Sequence, residues 1–206
     1  MEGARPLTAM PESPARFATA IQLFDEANSE DPNRETRQGE QHPKELLYAH
    51  RMTERLSRFA PGASEAVRLA VRAQHIRRWE IPRASYPMDR DGYRKWRTEL
   101  GRFHARTAAA LLREAGYDEE TILRVESLLR KERLKTDPDC QLLEDVICLV
   151  FLEHYLPAFV STQEEAKLIG IIQKTWRKMS AQGQQAALEL SLSEAAERAV
   201  GKALAD

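Results

Sequence analysis

The chain has 206 residues, of which 42% are hydrophobic and 31% charged, with only 9 glycines and 10 prolines. That composition excludes a collagen, a disordered linker and an all-β sandwich, and it fits one globular domain of ordinary size. The 31 basic and 32 acidic side chains nearly cancel but are segregated, with 11 basic against 4 acidic over residues 68–106 and an acidic excess on both sides. An anion recognised by this protein is expected to meet that central stretch.

The expected elements are helical throughout. Residues 1–12 are expected to be a disordered start, followed by a single helical domain over 13–206. Phe17, Ile21 and Phe24 recur at the three-and-four spacing of a first helix over 14–28. The polar stretch 29–41 is expected to be a loop, with Pro43 opening a second helix that runs to Phe59 before Pro61-Gly62. Ser64 is placed to cap a third helix ending near Trp79. Pro82 and Pro87 make 80–91 irregular. A long helix then reaches Ala115, where Gly116 provides a left-handed cap. Asp118 caps the next helix, to about Arg133. Thr136-Asp137-Pro138 opens another, expected to stop at Leu156 before Pro157, and helices over 162–179 and 193–205 complete an all-α bundle. No stretch alternates with period two.

The longest apolar run, Val146 to Leu152, is too short to span a bilayer, and no signal-peptide core precedes it. Cys140 and Cys148 form no CxxC pair, so they are read as reduced thiols, with a cytoplasmic location expected.

Polar residues on apolar faces are the candidates for chemistry. Asp145 shares a helical stripe with Cys148, Leu149, Leu152 and Leu156, and Glu144 shares one with Ile147, Phe151 and Tyr155. A carboxylate so placed must be paired, hydrogen-bonded or metal-bound. Either it forms a buried structural bond, to an arginine or at a helix cap, or it belongs to a site. Gln74, His75 and Arg78 continue the stripe of Val67 and Val71, so the third helix turns polar at its end. His50 borders the apolar face of the second helix, and His104 lies on the row Leu100, Ala108, Leu111. His50, His75, His104 and Asp145 thus come from four helices, the way a bundle assembles a divalent-metal site. Manganese, magnesium, iron, nickel and zinc are not distinguished. Arg77, Arg78, Trp79, Arg83 and the aromatic residues Tyr86, Tyr93 and Trp96 combine guanidinium forks with stacking rings, and Lys131 supplies a second wall. Those residues suit a phosphorylated nucleotide. Equally, they suit a loop whose rings pack on the bundle. Single-stranded nucleic acid is a weaker fit because the cluster is one loop on a nearly neutral chain.

The order His50, Gln74-His75-Ile76, His104, Asp145 over residues 43–156 resembles the HD-domain metal-dependent phosphohydrolase superfamily. That resemblance implies an HD-like helical core followed by C-terminal helices over 162–206, a divalent metal and hydrolysis of a nucleotide-like phosphate ester. His50, His75, His104 and Asp145 would hold the metal, Glu144 would act as general base, and Gln74, Arg77, Arg78, Trp79, Arg83 and Lys131 would bind the ligand. The sequence departs from the superfamily where a His-Asp pair is usual: Gln74-His75 or His75-Ile76 stands there, and either register lacks one group. Gln74 through Arg83 with Tyr86-Pro87, and Leu143-Glu144-Asp145-Val146 with Phe151 to Tyr155, are also similar to an uncharacterised bacterial and fungal family spanning nearly the whole chain. The alternative to a hydrolase is a binding module for an anionic ligand on the same fold, and a homodimer through the helices after Thr162 is a further expectation.

Overall fold

Side-chain caps start many of the helices in the computed structural model, which describes residues 13–205. Ser64 accepts from Val67 N–H, Asp89 from Gly92, Asp118 from Thr121, Asp137 from Asp139 and Cys140, and Ser180 from Gly183. The expected start over 1–12 lies outside the described residues. The architecture is all-α apart from one short hairpin, as expected from the periodicity. No helix among the described residues is long and apolar enough to cross a membrane.

The described residues form two compact units. The first comprises residues 13–50 and 64–132, and the second 51–63 and 133–205. In the first, helix α1 (Pro14–Ser29) is followed by strands β1 (Arg34–Arg37) and β2 (Glu40–Pro43). Helix α2 (Lys44–Phe59) begins in this unit and ends in the other. Helices α3 (Glu65–Ala73), α4 (Arg90–Glu114) and α5 (Glu119–Arg130) complete the first unit. Its core is built from Ala20, Phe24, Val67, Leu69, Ala70, Leu112, Ile122, Val125 and Leu128, all essentially inaccessible to solvent.

The second unit contains α6 (Pro138–Val150), a π-helical turn (Phe151–Tyr155), α7 (Leu156–Thr162), α8 (Glu165–Trp176), α9 (Ala181–Leu188) and α10 (Glu194–Ala205). Leu149, Leu152, Leu156, Leu168, Ile172, Met179 and Ala196 form its core. Arg55 on α2 pairs with Glu153 in the π turn, and Arg51 donates to Tyr155 Oη at 2.9 Å.

Four local expectations are corrected. The stretch 29–41 is not all loop. Gln38 and Gly39, both at positive φ (54° and 85°), make a two-residue turn that pairs Arg34 with Pro43 and Arg37 with Glu40. Pro43 therefore ends a strand rather than opening the helix.

The third helix stops at Ala73, six residues early. Beyond it, Arg77 adopts a left-handed φ of 49°, its N–H donates to Asn28 Oδ1 at 3.0 Å, and the Ile76 carbonyl accepts from His104 at 2.8 Å. Two bonds to distant residues thus draw the chain out of the helix, and Gln74 and His75 lie in a turn that leads into a 3₁₀ segment (Arg78–Glu80) holding Arg78.

Pro157 does not end its helix. The π turn just before it widens the backbone, and the chain continues to Thr162. Helix α9 was not expected at all; its Ser180 cap is held from outside by Asp145.

Candidate functional site

Asp31 and Asn28 set the scaffold of the site. Asp31, fully buried, accepts from Asn33 N–H at 2.9 Å and from Glu45 N–H at 2.9 Å, so it caps α2 from a distance and fixes Glu45. Glu45 Oε2 lies 3.1 Å from His75 Nδ1. Arg78 Nη1 lies 2.7 Å from Nε2 and 3.3 Å from Nδ1, so the guanidinium sits beside both ring nitrogens rather than along the Nε2 lone pair. The Glu45 carboxylate accepts, so His75 Nδ1 carries the proton donated to it. The ring also stacks on Tyr48, centroids 4.0 Å apart and planes 14° apart. Burial, with the charges of Arg78 and Arg97 adding to it, holds His75 well below the usual imidazole range. Burial also pushes the Glu45 carboxyl up, against the opposing charge of Arg78.

His104 projects from the middle of α4, its ring centroid 6.0 Å from that of His75. Its Nδ1 meets the Ile76 carbonyl at 2.8 Å, and a carbonyl only accepts, so Nδ1 is the protonated nitrogen. Burial, followed by the neighbouring His75, lowers its pKa to about 3. Its Nε2 is therefore a bare acceptor, and it is buried without a hydrogen-bond partner.

These groups border a cavity of about 390 Å³ between the turn after α3, the middle of α4 and the end of α5. Gln74 and His75 line one side, Arg97, Gly101, Arg102 and His104 the second, and Arg130, Lys131 and Glu132 the third. Arg97, Gly101 and His104 recur at four and three residues, so one face of α4 delivers them together. Four cationic side chains face one carboxylate. Arg130 pairs with Glu132 at 2.8 Å and Arg102 with Glu99 at 3.8 Å. Arg97 is half-buried and has no hydrogen bond or ion pair among the described residues.

Two further features of the walls run against stability. Gln74 is 5% exposed, and its Oε1, like His104 Nε2, is a buried acceptor with no partner. Such an atom costs about 1–3 kcal/mol of desolvation. Lys131 sits at a φ of 55°, in the left-handed region, where it closes α5 with its own N–H bonded to Leu128 O and Glu132 N–H bonded to Ser127 O. Glycine is the residue that adopts this cap without strain. Gln74, His104 and Lys131 meet at the same cavity.

Of the expected metal quartet, His50, His75 and His104 belong to the first unit and Asp145 to the second. Among the described residues, no group of three or more His, Cys, Asp or Glu side chains is arranged to hold a metal ion. Each member has other work. His50 Nε2 lies 3.7 Å from Asp25, His75 Nδ1 is bonded to Glu45 with Arg78 beside the ring, and His104 offers a single nitrogen. Asp145 accepts from Ser180 N–H at 2.8 Å, Ser180 Oγ at 2.5 Å and Gln141 Nε2 at 3.0 Å. Its carboxylate is a structural anchor of α9, so the reading of a buried structural bond describes it, with a serine and a backbone amide in place of an arginine. Glu144, expected as a general base, is 2% exposed and lies 3.5 Å from Lys178 Nζ. These residues do not fit a resident metal, and no chemistry is routed through one.

The expected ligand-binding set divides. Gln74 and Lys131 line the cavity, and Arg78 stands behind it, beside the His75 ring and lying 5.1 Å from the Trp96 ring. Arg77 pairs with Glu30 at 2.8 Å, and Arg83 donates to the Tyr86 and Asp89 carbonyls while lying against Tyr93 and Trp96. Trp79 is half-buried in the 3₁₀ segment and does not line the cavity. Arg77 and Arg83 are thus held by partners within this unit and Trp96 Nε1 bonds Ile81 O at 2.8 Å, while Met88, Arg90, Tyr93 and Arg94 stay exposed. Sequence reasoning did not single out Glu45, Arg97, Arg102 or Arg130. For Arg97 a signal was present, since it stands one and two turns before Gly101 and His104 on the same helical face.

No curated protein and no solved structure matches the chain. One family does match, over residues 18–200, with the same nearly full-length coverage that the strings around Gln74 and Glu144 led us to expect. The chain belongs to that family, DUF4202, a domain of unknown function.

Proposed function

We propose that the protein binds a small phosphorylated anion in the cavity between the turn after α3, helix α4 and the end of α5. The observation that carries this reading is Arg97: a half-buried guanidinium on a cavity wall, with no acceptor of its own among the described residues. A guanidinium fork fits phosphate oxygens in two-pronged fashion, and three further cations surround it. The volume of about 390 Å³ is at the small end of ligand sites and accommodates one compact molecule rather than a polymer strand. The metal-dependent hydrolase reading, and with it the HD-like assignment, rests on sequence resemblance. Among the described residues no ligand set supports a metal, so a binding module is the better reading.

Titration calorimetry with ethyl phosphate tests this at low and moderate salt. Wild-type protein is expected to bind with an affinity that falls as salt rises. Arg97→Ala is expected to weaken binding by roughly 10- to 100-fold, the worth of a charge-assisted hydrogen bond. Its thermal stability should stay at the wild-type level, because no folded-state partner is lost. Equal affinity in the variant, or no binding at millimolar ethyl phosphate, overturns the proposal.

A further inference from the structure

We propose that the ligand is a phosphate ester whose organic part carries hydroxyl or amino donors, and that it presents these to His104 Nε2 and Gln74 Oε1. This rests on the anion-binding reading and deepens it. Both residues line the cavity, both are more than nine-tenths buried, and each contributes one acceptor without a partner. A fully ionised phosphate group cannot satisfy them, since each of its oxygens is then an acceptor. The site therefore holds two chemistries on facing elements. Cations on α4 and at the end of α5 take the charged end, and acceptors on α4 and in the turn after α3 take a donor.

The tautomer makes the assignment specific. The bond from His104 Nδ1 to the Ile76 carbonyl fixes the proton on that nitrogen, so Nε2 can only receive. Glu45 does the corresponding service for His75, whose ring is flanked by Tyr48 and the Arg78 guanidinium, while the buried acceptor without a partner is on His104. A site that hydrogen-bonds a ligand hydroxyl rejects the analogue lacking it, because the buried acceptor then stays unpaired.

Three probes separate the possibilities: ethyl phosphate with no donor, ribose 5-phosphate with hydroxyls, and adenosine monophosphate with hydroxyls and an amino group. In wild-type protein at least one donor-bearing ester is expected to bind about tenfold or more tightly than ethyl phosphate. A preference for ribose 5-phosphate identifies a sugar hydroxyl as the donor, and one confined to the nucleotide identifies the base. The ¹⁵N resonance of His104 Nε2 is expected to move with the preferred ester and not with ethyl phosphate. Gln74→Leu removes one acceptor at similar volume. It should abolish most of the preference while raising Tm by about 2–4 °C, the sign of a buried polar burden relieved. Equal affinities for all three probes, or an unchanged preference in Gln74→Leu, overturn this inference and leave the anion site standing. Failure of every probe to bind overturns the anion site itself.

Discussion

Asp145→Ala is expected to lower the stability of the protein by about 3–5 kcal/mol in urea denaturation, the largest effect of any single substitution considered. The carboxylate accepts two bonds from Ser180 and one from Gln141, and hydrogen bonds to a charged group are worth roughly 1.5–3 kcal/mol each. Removing it leaves Ser180 N–H without its acceptor and loosens the residue that caps α9 through Gly183 N–H. Gly183 reports how tightly the carboxylate is held: a Cβ at that position would stand 2.7 Å from the Asp145 carboxyl carbon. Asp145→Asn keeps one acceptor but turns a donor toward Ser180, and should lose a large part of the same energy. A variant within about 1 kcal/mol of wild type would contradict the anchoring role, since that is less than one charge-assisted bond.

Acidification from pH 7 to pH 5 is expected to remove about 2 kcal/mol of stability through His104 alone. Its pKa is held at about 3 in the folded protein, by burial first and by the adjacent His75 second. An unfolded histidine titrates near 6.5, so between about pH 6.5 and pH 3 the unfolded chain binds a proton that the folded chain refuses. Stability from this group is present above that window and drains as pH falls through it. His75, lowered mainly by burial, acts with the same sign. Glu45 acts in the opposite sense: its raised carboxyl takes up a proton in the folded state before the unfolded one, which offsets part of the loss at lower pH. Urea denaturation at pH 7, 6 and 5 measures the sum. His104→Asn, whose amide can still donate to the Ile76 carbonyl, should lose the His104 share of the slope. Stability that does not change between pH 7 and pH 5 would mean that the imidazoles are not buried and neutral as described.

Locally determined features were legible in the sequence, and features fixed by distant residues were not. The caps Ser64 and Asp118, the Asp137-Pro138 opening and the left-handed Gly116 are written in adjacent residues and stand where expected. The end of α3 was misplaced because Asn28 and His104, 49 and 28 residues away, take the backbone bonds that would have extended it. Helix α9 escaped notice although its Ser180 cap is local, because Ala181–Leu188 is short, contains Gly183 and has no large apolar residue before Leu188 to set a three-and-four pattern. The hairpin has polar strands with no alternating pattern, and only Gln38-Gly39 marks it.

The candidate site was legible in the same partial way. Gln74, His75, His104 and Lys131 were singled out and all line the cavity, but as acceptors, a braced ring and a cationic cap. Asp145 attracted attention for a sound reason, the burial of a carboxylate. That burial turned out to serve the fold. Arg97, Arg102 and Arg130 are three of many arginines in the sequence, and only tertiary placement sets them apart.

Three departures from easy folding converge on one small volume: a lysine where glycine caps without strain, and two acceptors left without donors. Natural chains keep such local conflicts where a ligand repays them. Lys131→Gly tests this most directly, with Tm measured in the absence and presence of saturating ethyl phosphate. Without ligand the variant is expected to be as stable as wild type or more so, by roughly 0.5–1 kcal/mol, since glycine relieves the left-handed strain. With ligand it should gain clearly less than wild type does, because one of the four cations at the cavity is gone. A variant that is less stable alone, yet gains as much from ethyl phosphate as wild type, would show that Lys131 serves the helix end and not a bound anion.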